Sequence, residues 1–224
     1  MVKFEGIPPA GLRFLKQLKK NNDRDWFVPR KSEYERVLKE PMLALIEDIG
    51  RGLAKVAPEI RVSPRSLLRI YRDVRFSKNK DPYKTNIAAT FDMAGYPKGV
   101  SSPGLYLSIE PGDVFIGGGL YMPDSRQLKR IRYSIETKSD SFLSIVENRA
   151  FKKRFGALQG ETLKRAPAGY SPDHPMIEHL KRKHFFVGQS FPDTACTKPG
   201  FAKEVVEAYV RIMPLARWLR DASR

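Results

Sequence analysis

The chain has 224 residues, 41% of them hydrophobic, and a formal net charge of +16 with a pI near 10.0. This composition excludes global disorder, and no apolar run approaches the roughly 20 residues that a membrane-spanning helix needs. The single cysteine, Cys196, excludes an internal disulfide and a multi-cysteine metal cluster. The N-terminal residues lack the apolar stretch of a signal peptide, so we expect one cytoplasmic domain over residues 1–224 with no membrane association.

The first third of the chain is predicted to be helical. Pro8 and Pro9 suit the start of a helix in which leucines recur at every third position. Asp23 is a candidate N-cap for the next helix, and a long amphipathic helix is expected over residues 31–53. Pro41 should kink that helix, because proline lacks the amide donor and its ring clashes with the preceding turn.

The middle third is predicted to form short strands. These strands are expected over residues 69–76, 86–93, 105–109 and 114–121. Pro111, Gly112 and Asp113 suit a hairpin connection between the last two. Because the strands are short and their connections are tight, they favour an antiparallel meander, with residues 69–76 in the same sheet as the others.

The last third returns to helices. Asp124 is a candidate N-cap for a helix that carries Arg126, Lys129, Arg130 and Arg132 on its exposed side. Further helices are expected over residues 139–154, 175–182 and 202–222, with a strand over residues 184–189. The predicted fold class is α+β: a central antiparallel meander sheet flanked by N-terminal and C-terminal helices.

The positive charge is unevenly distributed along the chain. Residues 61–90 carry eight basic and two acidic residues, and residues 120–165 carry eleven and five, so that each stretch has a net charge of +6. The intervening residues 91–119 have a net charge of −2. A pI near 10.0 is typical of nucleic-acid binders, but also of proteins that bind small phosphorylated molecules.

The strongest chemical signal is the arginine-rich segment, residues 69–84 (RIYRDVRFSKNKDPYK), which holds six cations, two acids and three aromatic residues. Guanidinium groups bind oxyanions in a bidentate manner and stack on rings, so the segment predicts a site for an anionic, phosphate-bearing small molecule. On a strand, Arg69, Tyr71, Asp73 and Arg75 would form one row. The alternative is a structural salt-bridge network that holds the sheet to its helices.

Three consecutive glycines, Gly117, Gly118 and Gly119, precede Tyr121 within a predicted strand. A strand tolerates glycines where a bulge, another backbone or a ligand comes close. The sequence lacks both GxxxxGK[ST] and GxGxxG, so the glycines indicate a bulge or close packing, or else the floor of a pocket beside the arginine strand. The predicted ligand-binding residues are Arg69, Tyr71, Arg72, Asp73, Arg75, Lys78, Lys80, Tyr83, Lys84, Gly118 and Tyr121.

The histidines and the cysteine do not form a recognisable catalytic or metal motif. His174, His179 and His184 are spaced by five residues, which separates their side chains around a helix. No HExxH or GxSxG pattern occurs, and Cys196 has no evident histidine partner. We therefore predict no metal site and no cofactor, and the sequence does not decide whether the protein is an enzyme.

Several motifs together resemble a known family. They are RIYRDVRFSKNKDPYKTN, IEPGDVFIGGGLYMP, LKRIR, GYSPDHP and the C-terminal PLARWL. The sequence is similar over nearly its whole length to a widespread family of microbial and fungal proteins, the domain of unknown function 2461. The resemblance implies one intact domain of that family and supplies no activity.

Three hypotheses about function follow from the residues. The first is a binding site for an anionic, phosphate-bearing small molecule in the arginine strand and the lysine loop after it. The second is a nucleic-acid-binding accessory protein that uses both basic stretches as one surface. The third is an interaction domain whose arginines are mainly structural.

Overall fold

The computed structural model describes residues 3–96 and 100–224. These residues form a four-stranded antiparallel sheet with the strand order β1-β2-β3-β4, preceded and followed by helices. The strands are β1 (Ile87–Asp92), β2 (Gly104–Glu110), β3 (Asp113–Leu120) and β4 (Phe185–Phe191). The predicted α+β class and the antiparallel meander are confirmed.

The helices occupy three stretches of the chain. Before the sheet come α1 (Pro9–Lys20), α2 (Arg24–Phe27), α3 (Lys31–Tyr34) and α4 (Glu40–Leu53). Between β3 and β4 come α5 (Ser125–Thr137), α6 (Ser139–Val146), α7 (Arg149–Phe155) and α8 (Ile177–Leu180). After the sheet come α9 (Asp193–Cys196) and α10 (Phe201–Ser223). No helix within the described ranges is both long enough and apolar enough to span a bilayer.

The chain divides into two compact units, each built from three separate stretches of sequence. The first unit comprises residues 1–91, 106–116 and 190–207, and the second comprises residues 92–105, 117–189 and 208–224. The arginine-rich segment lies in the first unit, whereas the three glycines and Tyr121 lie in the second. That residues 1–224 form a single domain stays a prediction.

The N-terminal helices follow the sequence signals closely. Leu12, Leu15 and Leu18 of α1 are buried, as their spacing predicts. Asp23 caps α2, because its carboxylate accepts the Trp26 backbone amide at 2.8 Å. The helical stretch over residues 31–53 includes a π-helical turn, Glu35–Lys39, immediately before α4 and Pro41. A wider turn at this point accommodates a proline that has no amide hydrogen to donate.

The later helices show one cap that was predicted and one break that was not. Asp124 accepts the Gln127 amide at 2.8 Å and thereby caps α5. The helix expected over residues 139–154 is divided into α6 and α7, because Asn148 accepts the backbone amides of Ala150 and Phe151 and starts a new helix. An asparagine side chain that caps one helix interrupts the preceding one.

The prediction of a strand over residues 69–76 is wrong. These residues lie outside the four strands, and isolated bridges, Leu67 to Ala89 and Tyr71 to Tyr83, link this part of the chain to the residues that follow it. Phe76 is 95% exposed. Local side-chain bonds replace the ladder: Lys80 Nζ donates to the Val74 carbonyl at 3.0 Å. Such bonds offer the backbone an alternative to sheet pairing.

Candidate functional site

The arginine-rich segment folds back on itself as a loop, and its two ends pair with each other. On either side of the Tyr71–Tyr83 bridge, two backbone hydrogen bonds join the ends of the segment. The Arg72 amide donates to the Pro82 carbonyl at 2.9 Å, and the Lys84 amide donates to the Ile70 carbonyl at 2.8 Å. The intervening residues 73–81 form an irregular loop. The pairing therefore fixes the base of the loop, where the positions of Arg72 and Lys84 are set by backbone hydrogen bonds.

An aromatic cluster anchors this base to the N-terminal helices. Tyr83 is only 2% exposed and stacks on Phe27 of α2, with ring centroids 4.1 Å apart. The Asn22 side chain forms two hydrogen bonds with the Tyr83 backbone, each at 3.0 Å. Its Nδ2 donates to the Tyr83 carbonyl, and its Oδ1 accepts from the Tyr83 amide. Tyr71 packs on Tyr83 at 5.4 Å and remains 49% exposed. Tyr83 therefore supports the site from behind, while Tyr71 stays at the surface.

One side of the segment borders a cleft of about 460 Å³, which we call the aromatic cleft. Arg69 and Tyr71 line it together with Lys31, Tyr34 and Lys39 from the helical side. Burial raises the pKa of Tyr34 to about 12, with smaller contributions from its charged and tyrosyl neighbours. The hydroxyl group of Tyr34 therefore stays protonated at neutral pH. The charged side chains of this cleft are Lys31, Lys39 and Arg69, together with Glu35, whose carboxylate lies 3.3 Å from Lys39 Nζ.

A second cleft of about 320 Å³ lies beside Arg72 and Lys84, and we call it the basic cleft. It is lined by Lys19, Arg72, Asn79, Asp81, Tyr83, Lys84, Thr85 and Asn86. Glu110 holds two of these in place: Lys19 Nζ lies 3.4 Å from its carboxylate, and the Thr85 hydroxyl donates to it at 2.9 Å. The cleft thus brings together three cations, the Asp81 carboxylate, two side-chain amides and the Thr85 hydroxyl group, beside Tyr83.

Lys84 has the least compensated charge in the basic cleft. Its side chain is partly buried and forms no ion pair with any residue in the described ranges. Burial lowers the pKa of Lys84 below its usual 10.5, and the nearby Arg69 guanidinium lowers it further. Arg72 is only loosely paired, since its Nη1 lies 3.9 Å from Asp81. The base of the segment therefore holds cations with little neutralising charge.

Asp73 and Arg75 bind each other in the exposed part of the loop. Arg75 donates from Nε and Nη2 to the two oxygens of Asp73, at 3.0 and 2.7 Å. These hydrogen bonds hold the pKa of the Asp73 carboxyl below its usual range, and they raise that of Arg75. Lys78 and Lys80 are exposed in the same loop. The strand row expected from the sequence is thus divided, because two of its four members neutralise each other.

The glycines of β3 are explained by packing within the second unit. A Cβ atom at Gly118 would lie 2.8 Å from both the Ile212 and the Leu105 side chains. At Gly119, where φ is +128°, a Cβ atom would collide with the Phe185 carbonyl of β4. These positions require glycine because helix and strand atoms approach the β3 backbone closely. That these glycines and the arginine-rich segment line one pocket remains a prediction.

Some residues that line the basic cleft were not predicted from the sequence, for two different reasons. Thr85 and Asn86 directly follow Lys84, so the continuation of the motif was an available signal for them. Lys19 lies in the last turn of an ordinary amphipathic helix, more than fifty residues before Arg72, and nothing local distinguishes it from Lys20, which ends the helix. Only the fold brings Lys19 and Arg72 to one cleft.

Cys196 and His174 are placed by burial and by a local hydrogen bond. No group of three or more His, Cys, Asp or Glu side chains is placed to hold a metal ion in residues 3–96 and 100–224. Burial raises the pKa of the Cys196 thiol to about 11, so this cysteine is a poor nucleophile at neutral pH. His174 Nδ1 accepts the Met176 amide at 3.0 Å and acts in the turn before α8.

The fold and the clefts define an α+β protein with a basic, partly enclosed cleft in its first unit. The family model described as "Conserved hypothetical protein (DUF2461)" matches residues 10–218, so the chain belongs to this family, as its motifs predicted. Neither the curated proteins nor the solved structures give a match to this chain. The family description assigns no ligand and no reaction.

Proposed function

We propose that the protein binds a small phosphate-bearing molecule in the basic cleft. The observation that carries this proposal is Lys84, a partly buried cation that has no carboxylate within ion-pair distance among the described residues and lies near Arg69. A desolvated ammonium group beside a like charge is unfavourable until an anion arrives. A phosphate group would supply the missing negative charge and accept the hydrogen bonds of Lys84.

The polar groups around Lys84 suit a phosphate group. Arg72 offers a guanidinium fork that the 3.9 Å contact with Asp81 engages only weakly. Asn86 donates to the Ser108 hydroxyl at 2.7 Å, which keeps its amide in a fixed orientation. The 320 Å³ of the basic cleft lies at the lower end of the range for small-molecule sites, about 300–1,000 Å³. A phosphate with a small substituent fits this size better than an extended ligand.

The structural-network hypothesis receives less support from the same contacts. The closest carboxylate contact of a cation in the arginine-rich segment is the Asp73–Arg75 pair, and it is solvent-exposed. Exposed ion pairs contribute little to stability because solvent screens them. Since Arg69 and Lys84 form no ion pair with the rest of the described chain, they do not tie the first unit together.

A thermal-shift screen with inorganic phosphate, a sugar phosphate and a nucleoside monophosphate tests the proposal. At least one of them should raise the melting temperature of the wild type in a saturable way, as expected for a ligand that binds only the folded state. Lys84→Met should weaken that ligand by about tenfold or more, because a charged hydrogen bond is lost.

The matched control is Lys55→Met, which removes an exposed lysine of the same unit that forms no ion pair in the described structure. It should leave the response to the ligand unchanged. The proposal is wrong if no phosphate compound stabilises the wild type at low salt, or if both variants lose the response equally.

A further inference from the structure

Helix α5 presents a continuous basic stripe in the second unit. Arg126, Lys129, Arg130 and Tyr133 are exposed and follow the spacing i, i+3, i+4 and i+7, so they share one face of the helix. Tyr133 is 64% exposed. The opposite face is buried through Gln127, Ile131 and Ile135. The stripe therefore points away from the core of its own unit.

The three cations of this stripe are not neutralised. Arg126, Lys129 and Arg130 form no ion pair with any residue in the described ranges. Arg132, on another side of the same helix, is used differently, because its Nε donates to the Leu180 carbonyl at 2.7 Å. The helix thus separates a structural arginine from three cations that remain available to a partner.

An exposed aromatic ring stands just before the helix. Tyr121 is 61% exposed, although it is stacked on His184 with ring centroids 5.2 Å apart and packs edge-on to Phe186 at 5.3 Å. Only four residues separate Tyr121 from Arg126. The contacts with His184 and Phe186 restrain the tyrosine ring, and the residue stays largely exposed to solvent.

We propose that Tyr121, Arg126, Lys129, Arg130 and Tyr133, which we call the α5 surface, bind single-stranded nucleic acid. Cations spaced along a groove or ridge track the phosphates, and exposed rings stack on the bases. The stripe from Arg126 to Tyr133 rises about 10 Å along the helix axis, so it can follow successive nucleotides. The α5 surface shares no residue with the basic cleft, and this proposal does not depend on the ligand proposed there.

An anionic lipid surface is the competing partner for a basic helix, and the aromatic contacts argue against it. Membrane-bound amphipathic helices insert a broad apolar face into the headgroup region. Here the apolar face of α5 is buried in the protein, and the Tyr121 ring is held by its stacking partners. A ring that is fixed for stacking suits a flat base better than it suits insertion among acyl chains.

Fluorescence anisotropy with a short labelled oligothymidylate tests the proposal on the full chain. We expect binding that weakens steeply with salt, because bound phosphates release counterions. A variant that combines Arg126→Gln, Lys129→Gln and Arg130→Gln should bind about tenfold more weakly or worse and reduce the slope of log K against log salt by about 2. The control variant combines Arg149→Gln, Lys153→Gln and Lys164→Gln, which removes the same charge from exposed positions of the same unit; it should bind close to the wild type.

Two further probes separate base stacking from attraction to any polyanion. Tyr121→Leu should weaken oligothymidylate about fivefold or more but leave an abasic oligomer of the same length unaffected, whereas Tyr121→Phe should restore binding. Vesicles that contain phosphatidylserine should bind no more tightly than neutral vesicles. The proposal is overturned if the folded wild type fails to bind the oligomer at low salt, or if the two triple variants bind it equally well. It is also overturned if Tyr121→Leu weakens the binding of both oligomers equally. Vesicle binding that is lost when Arg126, Lys129 and Arg130 are replaced would overturn it as well.

Discussion

The basic cleft and the α5 surface come from stretches of equal net charge, +6 each, yet the fold uses the two stretches differently. In the cleft, Lys84 is partly buried beside backbone and side-chain hydrogen bonds, so its charge is poorly solvated. On α5, Arg126, Lys129 and Arg130 are exposed on a helix face. Burial therefore distinguishes a candidate small-molecule site from a surface that suits an extended polyanion, and the count of charges does not.

The largest expected effect is on the aromatic anchor of the basic cleft. Tyr83→Ala removes a ring that is 2% exposed and stacked on Phe27, so we expect a loss of about 3–5 kcal/mol in the free energy of unfolding. Tyr133→Ala on the α5 surface removes an exposed ring and should cost less than about 0.5 kcal/mol. Urea denaturation of both variants measures the contrast. Equal losses in the free energy of unfolding would mean that the buried Tyr83 ring stabilises the fold no more than the exposed Tyr133 ring does.

Asn22→Ala should have the next largest effect. The substitution leaves the amide and the carbonyl of Tyr83 without their partners, and we expect a loss of about 1–3 kcal/mol together with weaker ligand binding in the basic cleft. Asn21→Ala is the matched control, because the Asn21 side chain donates an exposed hydrogen bond to the Gln17 carbonyl of its own helix. If the two variants unfold at the same urea concentration, the Asn22 bridge does not position the segment.

Lys84→Met should act on stability in the opposite direction. The pKa of Lys84 is lowered in the folded protein, so the unfolded chain binds more protons between that pKa and 10.5. Wild-type stability should therefore rise as pH increases through this window, and the stabilisation should be lost as pH falls through the folded pKa. The variant should lack this rise and be slightly more stable than the wild type at neutral pH. Denaturation curves across pH measure both; a destabilised variant would indicate a structural lysine.

Arg75→Ala should have the smallest effect, although the sequence places Arg75 at the centre of the motif. Its guanidinium is engaged with Asp73 in the exposed loop, and exposed pairs of this kind contribute little. We expect nearly unchanged stability and an unchanged response to phosphate compounds. A large loss of ligand affinity in this variant would move the site from the basic cleft to the tip of the loop.

The sequence predicts elements whose signals are local, and it fails where distant residues decide. The leucine spacing of α1 and the Asp124 cap of α5 depend on neighbours within one or two turns, and both were predicted. The strand over residues 69–76 was wrong, because a strand needs a hydrogen-bonded neighbour along its length, and the described chain gives this segment the isolated Tyr71–Tyr83 bridge instead.

The candidate site follows the same rule. Arg72 and Lys84 were identified from their own motif, whereas Lys19 joins them only through the fold. The separation of Arg69 and Tyr71 from Arg72 into two clefts also depends on the Tyr71–Tyr83 bridge. The motif therefore shows which residues have side chains that can bind a ligand. The pairing of its two ends decides which of these residues line the same cleft.

The most direct test of the central claim is an NMR titration of the Lys84 side chain, followed through its ε-carbon, with and without inorganic phosphate. We predict a pKa below 10.5 in the free protein, because the ammonium group is partly buried beside Arg69, and a rise in that pKa when phosphate binds. A Lys84 pKa that does not move when phosphate is added would contradict the account.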